Sequence, residues 1–290
     1  MSVLAAQRTA REDVGEGDFP FSRRNFDQIA QRLYQLSGIH LNEGKTTLVY
    51  SRLAKRLRKL GLEDFDAYCA LIDSAEGEAE LPEFINALTT NLTKFFREPH
   101  HFDHLSKKLL PRLAAAARGG QRVRLWSAAC SSGEEAYSMA LCLFQVMPDA
   151  HRYDIKILAT DIDQNMVAAA RAGLYRDEAV APIPAPLRER WMVRGEGDKA
   201  WRVREDVRAV LAFNEMNLIA PWPMRGKFDV IFCRNVVIYF DDRTQTELWK
   251  RFRQALTPEG RLYVGHSERA DEPGLQSDGL TVYKLAGAAR

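Results

Sequence analysis

The 290-residue sequence has no apolar run that approaches the roughly 18 residues needed to span a bilayer as a helix, so a helical membrane protein is excluded. Its cysteines are few and scattered: Cys69, Cys130, Cys142 and Cys233 form no CxxC pair and no zinc spacing. With no apolar signal region at its start, the chain reads as a cytoplasmic protein with reduced thiols. Net charge is only +2, which lacks the strong positive field of a non-specific nucleic-acid binder. Electrostatic recognition therefore has to come from a local cluster. Also missing are the GxGxxG fingerprint and the GxxxxGK[ST] loop that cradle dinucleotide and triphosphate ligands. His100 and His104 stand at i, i+4 beside His101, but no third ligand accompanies them, so a helix surface is expected there and no metal.

What is present is enough apolar content, 46%, for a sizeable core in one large domain or two smaller ones. Residues 1–18 are polar and Gly-bearing and read as a tail. Residues 19–90 are helical in pattern: "NFDQIAQRLYQLSGI" spaces Phe26, Ile29, Leu33 and Leu36 on one face before Gly38. "KTTLVYSRLAKRLRKLG", "DFDAYCALI" and "ELPEFINALTTNL" supply three more helices. A linker helix is expected over 91–119, ending at "AAAARGG".

From residue 120 to 290 the period changes, and short apolar runs (RVRLW, IKILAT, FDVIFC, RLYVGHS) alternate with helical stretches. That rhythm predicts a Rossmann-like α/β domain with a parallel sheet. It breaks at about 175–212, where "WMVRGEGDKAWRVRED" reads as two strands joined by a Gly-rich turn, a small antiparallel β subdomain inserted in the order.

In open α/β sheets the ligand sits at the strand C-termini beside the first strand-to-helix turn. Here that turn is "SAACSSGEE", which would face a pyrophosphate with two carboxylates. S-adenosylmethionine fits better, because its ammonium and sulfonium are cationic while its adenosine half still needs such a cleft. Glu134 or Glu135 can hold the ammonium, although acids in a first helical turn also suit the helix dipole without any ligand. "IKILATDID" ends in Asp161, placed to accept from ribose hydroxyls, and Asp163, placed to cap the next helix.

"LTTNLTKFFRE", "WSAACSSGEEAYS", "ATDID", "FDVIFCRNVVIYF" and "GHSE", taken in this order, resemble the CheR family of chemotaxis receptor methyltransferases, over nearly all of residues 21–285. The resemblance implies methyl transfer from S-adenosylmethionine, leaving S-adenosylhomocysteine, to glutamate side chains on the cytoplasmic helices of methyl-accepting chemotaxis receptors. It implies a cofactor site at Asn91, Thr93, Arg97, one of Glu134 and Glu135, Asp161, Asn217, Leu218, Arg234 and Asn235. Arg97 and Tyr239 are implied at the reacting methyl, and no metal is. The bland alternatives are that Asn91 and Thr93 cap a helix, that Arg97 is surface charge and that Tyr239 is an ordinary aromatic.

On the second helix, Lys45, Arg52, Lys55, Arg56 and Lys59 share one arc, next to an apolar arc of Val49, Leu53, Leu57 and Leu60. Acids are almost absent from this helix, so the stripe is not neutralised by i, i+4 pairs. Given the resemblance, the stripe reads as the surface that docks the receptor helix. The inserted subdomain is the other candidate contact. Some members of the family add a receptor C-terminal pentapeptide to it, but "RGEGDKAWRVR" is short and the pentapeptide is expected to be dispensed with. A monomer associating with membrane-embedded receptors, and no nucleic acid, is the expected assembly.

Overall fold

A computed structural model of the chain describes residues 18–195 and 200–287. All of the expected tail except Asp18, and the middle of the "RGEGDKA" turn, lie outside the described residues. The chain divides between Thr89 and Thr90 into two compact units.

The first unit is all helical: α1 (Arg23–Ser37), α2 (Thr46–Leu60), α3 (Phe65–Asp73) and α4 (Leu81–Leu88). A capping box between Ser22 and Asn25 starts α1, and Gly38, at φ 75°, stops it. Its core joins Phe26, Ile29 and Leu33 to Val49, Leu53 and Leu57 of α2, Phe65 and Tyr68 of α3, and Phe84 of α4. Leu60 departs from the expected apolar arc: at the last turn of α2 it is 39% exposed.

The basic arc of α2 also differs from its expected form. Lys45, Lys55 and Lys59 are exposed, but both arginines turn inward. Arg52 donates through Nη1 to the carbonyls of Ala87 (3.3 Å) and Thr89 (2.6 Å) at the end of α4. Arg56 makes a bidentate pair with Glu80 (2.6 and 2.9 Å) and a third bond to Glu83 (2.9 Å). The neutralising acids come from a neighbouring segment, which an i, i+4 count cannot see.

In the second unit α5 (Pro99–His104) passes through a π-helical turn, Leu105–Leu109, into α6 (Leu110–Arg118). The helix expected from residue 91 therefore starts only at Pro99. Phe96 (φ 53°) and Glu98 (φ 59°) are left-handed, and a residue before proline avoids the α region, so 91–98 cannot continue a helix. The chain then runs β1 (Val123–Ala128), α7 (Glu134–Val146), β2 (Ile155–Asp161), α8 (Gln164–Ala172), β3 (Leu174–Arg176), α9 (Asp177–Val180), α10 (Ala185–Trp191), β4 (Met192–Arg194), β5 (Ala200–Val203), α11 (Glu205–Arg208), β6 (Leu211–Glu215), β7 (Phe228–Cys233), α12 (Asp242–Ala255), β8 (Leu256–Val264), β9 (Leu275–Gly279) and β10 (Val282–Leu285).

The main sheet has the order β6-β2-β1-β7-β8-β10-β9. It is parallel from β6 to β8 and antiparallel at β10 and β9. Leu125 sits level with Ile157 and Val230, and strands β1 and β7 are buried almost throughout, as a sheet covered on both faces requires. Leu125 packs into one core with Leu113 and Leu143, while Trp126 stacks among Trp222, Phe228 and Phe252 on the other face. The insertion is a separate sheet of order β3-β5-β4. Its β4 and β5 are the two expected strands, and β3 is an unforeseen third. Among the described residues no helix is long and apolar enough to cross a membrane.

Candidate active site

The order of strands reverses between β1 and β7, because the chain leaves β1 for β2 on one side and returns to β7 on the other. The crevice beyond the strand C-termini at such a switch point is where open α/β sheets take ligands. The expected cofactor and catalytic residues lie at or after these strand ends or on the 91–98 stretch, which bonds to Ser131 after β1 and to Arg234 after β7.

The loop after β1 is tightly bent, with Ala129 (φ 66°), Ser131 (φ 49°) and Gly133 (φ 98°) all left-handed. Four bonds pin it. Cys130 N donates to Thr160 O (2.9 Å), Ser131 N to Asp161 Oδ2 (2.7 Å), Ser131 Oγ to Asn91 O (2.9 Å) and Gly133 N to Cys130 O (3.0 Å). A Cβ on Gly133 would fall 2.8 Å from Ala170 Cβ and 3.0 Å from the Tyr175 hydroxyl, so this glycine is demanded by packing against α8 and the insertion.

The two glutamates that open α7 part company. Glu134 accepts from the loop's own Ser132 Oγ (2.7 Å). Glu135 turns back to the strand ends, accepting from Ser127 Oγ at 2.7 Å and lying 3.5 Å from Arg234 Nη1. Burial pushes both carboxyls above their usual range, and for Glu135 it outweighs the opposing pull of Arg234. Asp161, 6% exposed, accepts from Asp163 N (2.9 Å) and Ser131 N (2.7 Å). Burial still raises its pKa to about 6. Asp163 caps α8, accepting from Asn165 N and Met166 N, and also takes a 2.7 Å bond from Asn91 Nδ2. Asn91 and Thr93 thus lie on a stretch that is neither helix nor strand, and they cap no helix; Asn91 instead bonds the residue that caps α8.

Arg97 is half-buried and folds back, its Nη1 donating to Leu92 O at 3.0 Å. Next to it Glu98 meets three residues from two segments: His266 Nδ1 at 2.9 Å, and Asn235 Nδ2 and Arg234 Nη2, each at 3.4 Å. Burial opposes ionisation of Glu98, but the His266 bond and the Arg234 charge overcome it and hold its pKa down to about 2. Arg234 differs from its expected part. Its side chain is 1% exposed, sandwiched near Phe102 and Phe232, with one guanidinium nitrogen bonded to Arg97 O. It supports Glu98, Glu135 and the Arg97 turn from beneath, and presents no guanidinium face to a ligand.

Asn235, left-handed at φ 58°, follows β7, and Tyr239 stands half-buried at the end of a 3₁₀ turn, Val237–Tyr239. Asn217 and Leu218 follow edge strand β6, which the sequence pattern had not distinguished. Leu218 O accepts from Trp222 Nε1 (3.0 Å) and Arg251 Nη1 (2.7 Å), which fixes this loop. Glu98, Glu268 and Ser131 are the site's unassigned contributors. Glu98 and Glu268 lay within the quoted "FFRE" and "GHSE", but nothing in their spacing shows what they bind.

The histidines are not the expected helix surface. His101 is fully buried, its Nε2 2.8 Å from Thr281 Oγ1, and burial next to Arg234 lowers its pKa to about 3. His104 Nδ1 lies 2.8 Å from the Tyr263 hydroxyl. Ligand atoms of Glu98, His100 and His101 lie within 4.8 Å of one another. The guanidinium of Arg234 already stands against the inner Glu98 oxygen.

With this geometry in view, residues 91–278 match the model of the CheR methyltransferase, SAM binding domain, and residues 24–89 that of the CheR methyltransferase, all-alpha domain. The chain belongs to the CheR methyltransferase family. It is 49% identical to a "Probable chemotaxis protein methyltransferase" of Rhizobium etli, over 87% of this chain and 96% of that protein. It is 45% identical to "Chemotaxis protein methyltransferase 2" of Pseudomonas aeruginosa, over 94% and 96%. The "Chemotaxis protein methyltransferase" of Escherichia coli K12 is 42% identical, over 91% and 92%. The crevice of this CheR-family chain thus belongs to an S-adenosylmethionine-binding methyltransferase domain. Its chemistry agrees: the loop from Ala129 to Gly133 brings no lysine, and burial raises the pKa of two carboxyls beside it, Glu135 and Asp161.

Proposed function

We propose that this protein methylates glutamate side chains on the cytoplasmic helices of methyl-accepting chemotaxis receptors, forming γ-carboxyl methyl esters that serve sensory adaptation. The observation that carries the reading is the gathering of Glu135, Asp161, Arg97 and Tyr239 on the segments around one strand-end crevice, in a chain of this family. When bound there, S-adenosylmethionine supplies an electrophilic methyl group on a cationic sulfonium. Glu135 holds its ammonium, Asp161 accepts from its ribose hydroxyls through lone pairs that Ser131 and Asp163 leave free, and Asn91, Thr93, Asn217, Leu218 and Asn235 line the remainder.

The chemistry asks little of the protein beyond placement. A substrate glutamate with a pKa near 4.3 is already ionised at neutral pH, so no general base is required. Orientation of the attacking oxygen accounts for several kcal/mol of the barrier. Arg97 and Tyr239 orient the incoming carboxylate, and their half-buried setting limits water around it. Arg97 spends only part of its guanidinium on Leu92 O, which leaves nitrogens for the substrate.

Docking falls to Lys45, Lys55 and Lys59, with the free edge of Arg52; Arg56 is withdrawn from that role by Glu80 and Glu83. An acidic helix is the complement of such a stripe. The protein acts as a cytoplasmic monomer that visits membrane-embedded receptors and needs no tethering pentapeptide.

The test is incubation with methyl-labelled S-adenosylmethionine and receptor-bearing membranes. Base-labile methyl esters on the receptor are expected, diminishing with salt. Label appearing on a small molecule or on RNA instead, or no affinity for S-adenosylhomocysteine, would overturn the reading.

A further inference from the structure

We propose that Glu268 is a positioning residue for methyl transfer, holding in one conformation the turn that carries Asn235 and Tyr239; the proposal rests on the function inferred above. Its buried carboxylate accepts a set of backbone N–H groups. Oε2 takes Gly265 N (2.6 Å) and Asn235 N (2.9 Å). Oε1 takes Val236 N (2.9 Å), Val237 N (2.8 Å) and, at 3.4 Å, Ile238 N. The turn between β7 and α12 is therefore wrapped around a carboxylate of the protein's own, as other backbone nests are wrapped around a bound anion.

Without that carboxylate the turn keeps its own bonds, Tyr239 N to Val236 O (3.2 Å) and Phe240 N to Val237 O (3.0 Å), but these use none of the N–H groups of Asn235 to Ile238. Asn235 sits in the left-handed region, and its neighbours Val236 to Ile238 have no strand to bond to. Buried N–H groups stripped of an acceptor are costly, so the turn would rearrange to satisfy them and carry Tyr239 with it. Gly265 is matched to the same purpose. A Cβ there would fall 2.5 Å from Asn235 Nδ2, 2.8 Å from Asn235 N and 2.8 Å from Glu268 Oε2, so only glycine lets the end of β8 come this close. Glu98 Oε1 meets Asn235 Nδ2 as well, at 3.4 Å. Glu268 acts on the reaction only through Asn235 and Tyr239, with both oxygens engaged by backbone.

Glutamine cannot replace it, because one of the two oxygens becomes an NH₂ group that faces N–H donors. For Glu268→Gln the kcat for receptor methylation is expected to fall by at least about tenfold, since a misplacement of about 1 Å costs up to about a hundredfold. The KM for receptor, set by α2, stays within about twofold, and Glu268→Asp, which keeps both oxygens, recovers part of the loss. Gly265→Ala gives the same split from the opposite side. A second measurement needs no variant: in the wild-type protein the amides of Asn235 to Val237 exchange with deuterium far more slowly than that of the exposed Ser267.

A Glu268→Gln protein with wild-type kcat, or a rise in KM equal to the fall in kcat, overturns the inference. So does wild-type exchange of the Asn235–Val237 amides as fast as that of Ser267. Wild-type protein that neither binds S-adenosylhomocysteine nor methylates receptor overturns the proposed function instead, and leaves the exchange result to stand.

Discussion

Arg56 separates folding from docking. Its guanidinium is held between Glu80, 6% exposed, and Glu83, and Glu80 also accepts from the Tyr68 hydroxyl at 3.0 Å. Arg56→Ala leaves that buried carboxylate with Tyr68 as its remaining partner. Removing one member of a buried pair costs about 3–5 kcal/mol; the surviving Tyr68 bond puts this case near the lower end, about 3 kcal/mol. For a helical unit of this size each kcal/mol moves Tm by about 4–8 °C, so the N-terminal unit should melt at least about 12 °C lower. All five tryptophans (Trp126, Trp191, Trp201, Trp222 and Trp249) lie beyond Thr89, which makes the assay selective. Circular dichroism should show an early helical transition that tryptophan fluorescence does not follow. Arg56→Met combined with Glu80→Leu removes both charges and, made together with Tyr68→Phe so that no buried hydroxyl is left without its acceptor, should recover most of the loss, with an unchanged KM for receptor, whereas Lys55→Glu and Lys59→Glu should raise KM without an early transition. If Arg56→Ala melts like wild type and raises KM as much as Lys55→Glu, the arginine faces the receptor and the reasoning fails.

Arg97→Ala and Tyr239→Phe should each lower kcat by at least about tenfold, equivalent to about 1.4 kcal/mol of barrier, with little change in Tm; initial-rate methylation and a thermal melt check this pair. For Asp161, burial raises the folded pKa from the ordinary 3.8 to about 6, so its contribution to stability is complete below about pH 4 and is lost as pH rises through 6. A ligand hydroxyl bonded to the ionised form reverses that preference: calorimetry should find S-adenosylhomocysteine binding weakened about tenfold for each unit below pH 6, and a flat profile from pH 5 to 8 would count against a ribose contact. Gly133→Ala should destabilise the second unit by about 2 kcal/mol or more, through both the positive φ and the contact with Ala170, read as an earlier loss of tryptophan fluorescence signal.

The helical unit and the parallel strands were legible because their signals are local. Apolar spacing marked α1 and α2, and the buried strands β1, β2, β7 and β8 read as short, largely apolar runs. The missed strands share a different character. β6, β9 and β10 lie at or near sheet edges, and β9 in particular is exposed and polar along much of its length, so no run announces it. The broken start of α5 was written in the Glu98–Pro99 step but was overridden by the helical composition around it. Arg56 was misplaced for a related reason: a helical wheel knows which face a side chain leaves from, and nothing of the acids that a separate segment brings to meet it.

The crevice holds four carboxylates that sequence alone cannot rank, and their environments divide them. Glu98 and Glu268 are both engaged by the protein. One meets His266, Asn235 and Arg234, with its pKa drawn to about 2; the other fills a ring of backbone amides. Glu135 and Asp161 are as deeply placed, yet burial raises both. A carboxylate whose folded environment favours its charge is performing a structural task already. One whose environment disfavours that charge is held in readiness for something else, and a cationic ligand with hydroxyls to donate would supply both missing interactions. Partners and shift together, upward for Glu135 and Asp161 and downward for Glu98, select Glu135 and Asp161 as the pair whose substitution should change cofactor affinity first, while Glu134, raised as well, is turned to Ser132 of its own loop.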